Sequence, residues 1–181
     1  MSAEKIKHIT HSITTIPNFP KEGILFRDIT SLFADPLAFQ YAMDLTLDIW
    51  ADKNVTCILA LEARGFLLGS VLANALGVSL ILARKKGKLP RKVISESYTL
   101  EYGNEILEIH EDSVSEIDKV LIVDDLVATG GTAIAAANLV SKLSAEVVGC
   151  TFIIDLPDLG GSNRLKELGY ECSSLISFEG L

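Results

Sequence analysis

The chain has 181 residues, 49% of them hydrophobic and 7% aromatic, with a net charge of −8 at neutral pH. That length is enough for one globular domain with a sizeable core, and the acidic balance argues against nucleic acid as a partner. The three cysteines, Cys57, Cys150 and Cys172, show no metal-ligand spacing, and their odd number argues against a disulfide framework. Cys57 and Cys150 lie in apolar runs as small hydrophobes, which suits a reducing cytosol.

Residues 1–10 are polar and carry no signal-peptide pattern. Ile6, Ile9 and Ile13 are spaced for one face of a short amphipathic helix. His8 and His11 have no acidic or cysteine partner at ligand spacing and receive no role. Pro17 and Pro20 end the helix and impose extended backbone. Residues 19–35 (FPKEGILFRDITSLFAD) read as an ordered loop. Within it Phe26 either packs in the core beside an Arg27–Asp28 ion pair, or stacks on a planar ring whose edge the neighbouring backbone reads. Asp35 and Pro36 are the N-cap and first residue of a helix, with Leu37, Tyr41, Leu45 and Ile49 on its apolar face. Residues 57–61 form a buried strand, followed by the turn Glu62-Ala63-Arg64-Gly65. There Arg64 is placed to bind an anion bidentately or to pair with Glu62.

Residues 65–83 carry no charge and are long enough to raise the question of a membrane span. Gly69, Asn74, Gly77 and two serines interrupt them, so they read as a buried helix, a stop at Gly77 and a buried strand. Residues 84–92 (RKKGKLPRK) hold six basic residues and no acid, and residues 101–118 hold seven acids and no Lys or Arg. The basic run is either a solvated loop or a mobile clamp for a polyanion. Tyr98, Leu100 and Tyr102 alternate with Thr99 and Glu101, and residues 105–109 alternate again. With Gly103-Asn104 as the turn, this is a β-hairpin able to close as a lid.

Residues 120–133 (VLIVDDLVATGGTA) organise the rest. The unbroken run 120–123 is a strand buried on both faces. It ends in Asp124-Asp125, and Ala128-Thr129-Gly130-Gly131-Thr132 leads into a helix over 133–143. A tight glycine turn at a helix start presents backbone N–H groups to an anion, and ligands of open α/β sheets bind beyond the carboxyl ends of the strands. An ordinary helix cap is the plainer alternative. No Lys follows the glycines, so the loop is not a Walker A motif, and its glycine spacing is not GxGxxG. Further on, residues 147–155 form another buried strand, a Leu156-Pro157-Asp158-Leu159-Gly160-Gly161 turn leads to a short helix ending near Leu168, and a last strand lies near 175–178.

The stretch Val-Asp-Asp-Leu-Val-Ala-Thr-Gly-Gly-Thr resembles the signature of type I phosphoribosyltransferases that binds phosphoribosyl pyrophosphate (PRPP). The resemblance implies that Asp124 and Asp125 hold the ribose hydroxyls and that Ala128, Thr129, Gly130, Gly131 and Thr132 cradle the 5′-phosphate. Gly-Ile-Leu-Phe-Arg-Asp-Ile-Thr resembles the base loop of the adenine phosphoribosyltransferases. That likeness implies stacking of Phe26 on adenine, backbone contacts from Leu25 and Arg27, and closure of the far face by Leu159. The turn at Glu62 resembles the family's pyrophosphate loop, with Ala63 and Arg64 at the pyrophosphate and Glu-Ala-Arg where Asp-Ser-Arg is common. Arg84, Lys85 and Lys88 match the basic stretch near the same group. Ser-Tyr-Thr-Leu-Glu-Tyr-Gly resembles the flexible catalytic loop, which makes Glu101 the group acting on the base and Tyr102 the cover of the site.

The expected fold is α/β: a mostly parallel central sheet flanked by helices, with a β-hairpin flap and a small N-terminal hood. Residues 1–181 form one domain, with the hood and adenine loop at about 1–35 and the flap at about 84–110. The resemblance implies transfer of the phosphoribosyl group of PRPP to adenine, giving AMP and pyrophosphate. Mg²⁺ would arrive with PRPP, with no permanent metal site. The partners are adenine, PRPP and a second copy in a homodimer, with no nucleic acid and no membrane, in the cytoplasm. A phosphoribosyltransferase for another base, and a non-catalytic PRPP-binding regulator, are the alternatives.

Overall fold

The computed structural model describes residues 2–100 and 103–180. Helix α1 (Ser2–Ser12) buries Ile9 fully, with Ile13 just beyond its end also buried. Strands β1 (Thr14–Pro17) and β2 (Leu25–Asp28) pair antiparallel as a separate ribbon, so the stretch read as a loop is half of a two-stranded sheet. The Phe19–Pro20 peptide between them is cis.

A short helix α2 (Thr30–Ala34) leads to α3 (Pro36–Trp50). Asp35 caps α3 as expected, its carboxylate accepting from the N–H groups of Leu37 and Ala38, both at 3.0 Å. Its other oxygen takes His8 Nε2 at 2.9 Å, which ties α1 to the start of α3 and gives His8 a role the sequence did not suggest. The buried face of α3 differs from the expected one. It consists of Ala38, Ala42, Met43, Thr46 and Trp50, while Leu37 is 44% exposed. Ala38, Ala42, Met43 and Trp50 join the core cluster that also holds Ile9 of α1; Tyr41, Leu45 and Ile49 cover the margin of that core.

The main sheet comprises β3 (Cys57–Leu61), β4 (Ser79–Lys85), β5 (Val93–Leu100), β6 (Gly103–His110), β7 (Lys119–Val123), β8 (Leu126–Val127), β9 (Glu146–Asp155) and β10 (Cys172–Ser177). Its order is β10-β9-β7-β3-β4-β6-β5, with the two-residue β8 beside β9. Pairings from β10 through β4 are parallel, and the β5–β6 hairpin joins antiparallel. Helices α4 (Gly65–Leu76), α5 (Gly131–Lys142) and α6 (Gly161–Glu167) complete the element list.

Side chains of β3 and β7 alternate between two cores. Leu59, Leu61 and Ile122 pack with α5, while Ile58, Ala60, Leu121 and Val123 pack with α1, α3 and α4. This two-sided burial is why those strands read as unbroken apolar runs. No helix among the described residues is long and apolar enough to cross a membrane. Residues 65–83 instead fold as α4, a left-handed Gly77 (φ 68°) and β4. That segment is less buried than expected: Leu67 is 51% exposed, Leu80 39% and Leu82 37%.

Candidate active site

The turns that follow β3, β7 and β9 lie together at the carboxyl edge of the sheet. After β7 the chain passes through Asp124 and Asp125, held in place by β9: Asp124 N–H donates to Thr151 O, and Asp125 O accepts from Ile153 and Ile154. It then turns through 128–130 into α5. A pocket of about 120 Å³ is lined by residues 126–133 with Leu61, Asp124 and Phe152.

The three carbonyls of this turn are all engaged from outside the pocket. Ala128 O accepts from Gly161 N–H at 2.9 Å, Thr129 O from the Arg164 guanidinium at 2.9 Å, and Gly130 O from Ile134 N–H at 2.9 Å. The N–H groups of Thr129, Gly130, Gly131 and Thr132 take no protein acceptor among the described residues. Averted carbonyls and free N–H groups at a helix start are able to receive an anion. Gly130 has φ 79°, and its Cα lies close enough to Gly161 that a Cβ would meet Gly161 O at 3.0 Å.

Asp125 is 4% exposed and accepts Arg64 Nε at 2.5 Å. Arg64 therefore pairs with Asp125 rather than with Glu62. The neighbouring strands explain the exchange: β7 on one flank of β3 brings Asp125 to Arg64, and β4 on the other brings basic residues to Glu62. Glu62 accepts from Lys85 N–H at 2.9 Å, from Lys88 Nζ, and lies 3.4 Å from Arg84 Nε. Lys85 Nζ reaches Glu105 at 3.4 Å. Ala63 follows Glu62 through a cis peptide. Burial pushes the Asp124 carboxyl well above the usual carboxylate range, and the charge of Asp125 pushes the same way. A cationic ligand beside the pair would favour the ionised form of Asp124.

Phe26 lies edge-on to Phe19, ring centroids 5.2 Å apart. Its neighbour Leu25 is 36% exposed. Arg27 forms no pair with Asp28. Its guanidinium donates to Thr15 Oγ1 and Glu179 O at 2.6 and 3.1 Å and lies over the Phe178 ring at 4.4 Å. Asp28 instead accepts from the N–H and hydroxyl of Thr30, which holds its carboxyl below the usual range. Leu159 sits in a 3-10 turn (Pro157–Leu159) after β9, half-buried, and the adjacent Asp158 accepts from Gly180 N–H at 2.8 Å. Residues 178–180 thus bridge the ribbon carrying Phe26 and the turn carrying Leu159.

The hairpin pairs Leu100 with Gly103 and Thr99 with Asn104, so Gly103 and Asn104 belong to β6 and are not the turn. The register runs from the apolar stem, where Ile94 pairs with Ile109, out to Leu100 and Gly103. Glu101 and Tyr102 lie outside the described residues. The stem is fixed to α5: Glu96 takes Lys142 Nζ at 2.6 Å and Asn138 Nδ2 at 2.9 Å, and Lys142 Nζ also reaches Ser95 O at 2.7 Å.

The family model described as phosphoribosyl transferase domain matches residues 28–176. An adenine phosphoribosyltransferase of Yersinia enterocolitica is 53% identical over 179 residues, covering 99% of this chain and 96% of that protein. The chain belongs to the adenine phosphoribosyltransferase family. Crystal structures of family members superpose closely. The enzyme of Rhodothermus marinus has a TM-score of 0.91 at 39% identity, over 97% of this chain and 99% of that one. The enzyme of Saccharomyces cerevisiae, complexed with an imino-altritol bisphosphate and adenine, has a TM-score of 0.88 at 37% identity, over 96% and 99%. The α/β fold with a mostly parallel sheet is that of type I phosphoribosyltransferases.

Sequence reasoning missed Gly161 and Arg164, which hold the carbonyls of the turn at 128–130 from behind. The available signal was the glycine pair 160–161 directly after a strand-end turn, where only a residue without a side chain lets two backbones touch.

Proposed function

We propose that this chain transfers the 5-phosphoribosyl group of PRPP to adenine, forming AMP and releasing pyrophosphate. The observation that carries the reading is the cradle at 128–132, with free N–H groups facing a pocket beside Asp124. In this assignment Ala128, Thr129, Gly130, Gly131 and Thr132 hold the 5′-phosphate. Asp124 and Asp125 hold the ribose hydroxyls. Arg64 keeps its terminal N–H groups for the pyrophosphate while Asp125 fixes its Nε. Ala63, Arg84, Lys85 and Lys88 surround the same leaving group, and the carboxylate of Glu62 holds the basic stretch against that turn.

In the reaction the bond from ribose C1′ to the pyrophosphate oxygen breaks and a bond from C1′ to adenine nitrogen forms. Cations stabilise the charge that leaves. The carboxylates favour the oxocarbenium character of the ribose, and the flap excludes water. The nitrogen's proton goes to Glu101 as general base, with Tyr102 covering the site. Mg²⁺ carried in by PRPP would share the hard oxygen donors Asp124 and Asp125 and neutralise pyrophosphate charge. Phe26 stacks on adenine, backbone groups of Leu25 and Arg27 read its edge, and Leu159 closes the opposite face. A site built to pair adenine's amino hydrogens leaves buried polar groups unmatched with a 6-oxopurine.

The exposed Leu67, Leu80 and Leu82 on α4 and β4 supply an apolar face for a homodimer. The free thiols of Cys57, Cys150 and Cys172 fit a reducing cytoplasm. The test is AMP formation from PRPP and Mg²⁺ with adenine, beside hypoxanthine, guanine and orotate. Turnover with adenine alone supports both the PRPP site and the base site. Turnover with another base leaves the PRPP site and overturns the base site. PRPP binding without turnover puts a regulator in place of an enzyme.

A further inference from the structure

We infer that Arg164 is a positioning residue for the 5′-phosphate, acting through the Thr129 carbonyl from the outer side of the cradle. This rests on the reading of residues 128–132 as the 5′-phosphate site.

A trans peptide unit carries its C=O and the next N–H on opposite sides. A donor that holds Thr129 O from outside therefore aims Gly130 N–H into the pocket. Arg164 Nη1 is that donor, at 2.9 Å. Gly161 N–H does the same for the preceding unit, holding Ala128 O at 2.9 Å and aiming Thr129 N–H inward. Both donors come from α6, and α6 is itself pinned to the sheet: Ser162 Oγ donates to Asp155 Oδ2 at 2.7 Å. Arg164 is exposed, so its long side chain is free to extend into solvent, yet it lies along the loop and ends on a backbone carbonyl. A cation on that carbonyl polarises the peptide, which makes the inward N–H a better donor to a dianion. It also sets a positive charge one peptide away from the phosphate. No other basic side chain among the described residues bonds the turn at 128–132.

The test compares wild type, Arg164→Ala and Arg164→Lys by calorimetric titration with ribose 5-phosphate, AMP and inorganic pyrophosphate, alongside steady-state kinetics and thermal melts. Arg164→Ala is expected to weaken ribose 5-phosphate and AMP roughly five- to tenfold, the scale of one exposed charge-assisted contact. It should raise the PRPP KM by a similar factor with kcat within about twofold, since the chemistry and leaving-group contacts are untouched. Pyrophosphate affinity stays at the wild-type value. Arg164→Lys recovers most of the loss. Unchanged ribose 5-phosphate affinity in Arg164→Ala overturns the inference. So does pyrophosphate affinity falling in step, which would indicate a general loosening of the fold. A wild-type chain that binds pyrophosphate but neither ribose 5-phosphate nor AMP overturns the cradle reading itself, and this inference with it.

Discussion

Replacing Gly161 with alanine puts one methyl into the seam between the cradle and α6. A Cβ at that position meets Ala128 O at 2.3 Å, Gly130 N at 2.6 Å and Thr129 C at 2.8 Å. Ordinary contact starts at 3.4 Å, so the first approach is about 1.1 Å too short. All three atoms are backbone atoms of the cradle and cannot rotate away as a side chain would. Either α6 or the loop must withdraw by about 1 Å, and overpacking of this kind costs about 1–3 kcal/mol. For a chain of this size each kcal/mol lowers Tm by about 2–4 °C. The larger effect falls on the ligand, because a misplacement of about 1 Å costs on the order of 100-fold in activity. Alanine also favours helix over glycine by about 1 kcal/mol, so a loss cannot come from propensity. PRPP titration and steady-state kinetics should show a weakened PRPP KM and an adenine KM near wild type. A Gly161→Ala protein with wild-type Tm and PRPP KM would refute the argument that this seam sets the cradle.

Glu101→Ala should cut turnover by about 10²–10⁴ with the PRPP dissociation constant unchanged; single-turnover kinetics at saturating PRPP is the measurement, and unaltered turnover removes Glu101 from the chemistry. Asp124→Asn should weaken PRPP binding yet stabilise the ligand-free fold at pH 7. Because the folded carboxyl's pKa is raised, its stability contribution is full below the unfolded value of about 3.9 and is lost as pH rises toward the folded one. The amide escapes that loss, so the variant's advantage in melting temperature should grow from pH 4 to pH 7; a lower Tm at pH 7 would contradict it. Phe26→Ala should raise the adenine KM about five- to 150-fold, from a stacking contribution of about 1–3 kcal/mol, and leave the PRPP KM unaltered; equal shifts in both would remove Phe26 from base binding.

The parts of the fold that could be read in advance are those where one physical demand dominates. Strands β3, β7 and β9 are buried on both faces over most of their length, so they are mostly apolar there, and their ends are marked by Glu62, Asp124 and Asp155. Asp35-Pro36 signals a helix start because each residue meets a separate need of the first turn. The face of α3 differs from the expected one because Leu37, Tyr41, Leu45 and Ile49 give an apolar stripe that competes with the one on Ala38, Ala42, Met43, Thr46 and Trp50, and burial follows the second. The exposure of Leu80 and Leu82 on β4 was hidden for a related reason: hydrophobicity shows which residues avoid water, not which chain covers them. The hairpin turn was misplaced because a local Gly-Asn signal competes with a ladder fixed at its far end. Pairings such as Arg64 with Asp125 and His8 with Asp35 depend on strand order and helix packing, which no local pattern carries.

The bridge formed by residues 178–180 has a practical consequence for anyone who purifies this protein. Strand β10 ends at Ser177, so cleavage just after it spares every strand of the main sheet. It also removes the Phe178 ring beneath Arg27, the Glu179 carbonyl and the Gly180 amide. Variation in adenine affinity between batches of equal purity would then be explained by trimmed ends, and an intact-mass spectrum is the control to run before any base-site kinetics are interpreted.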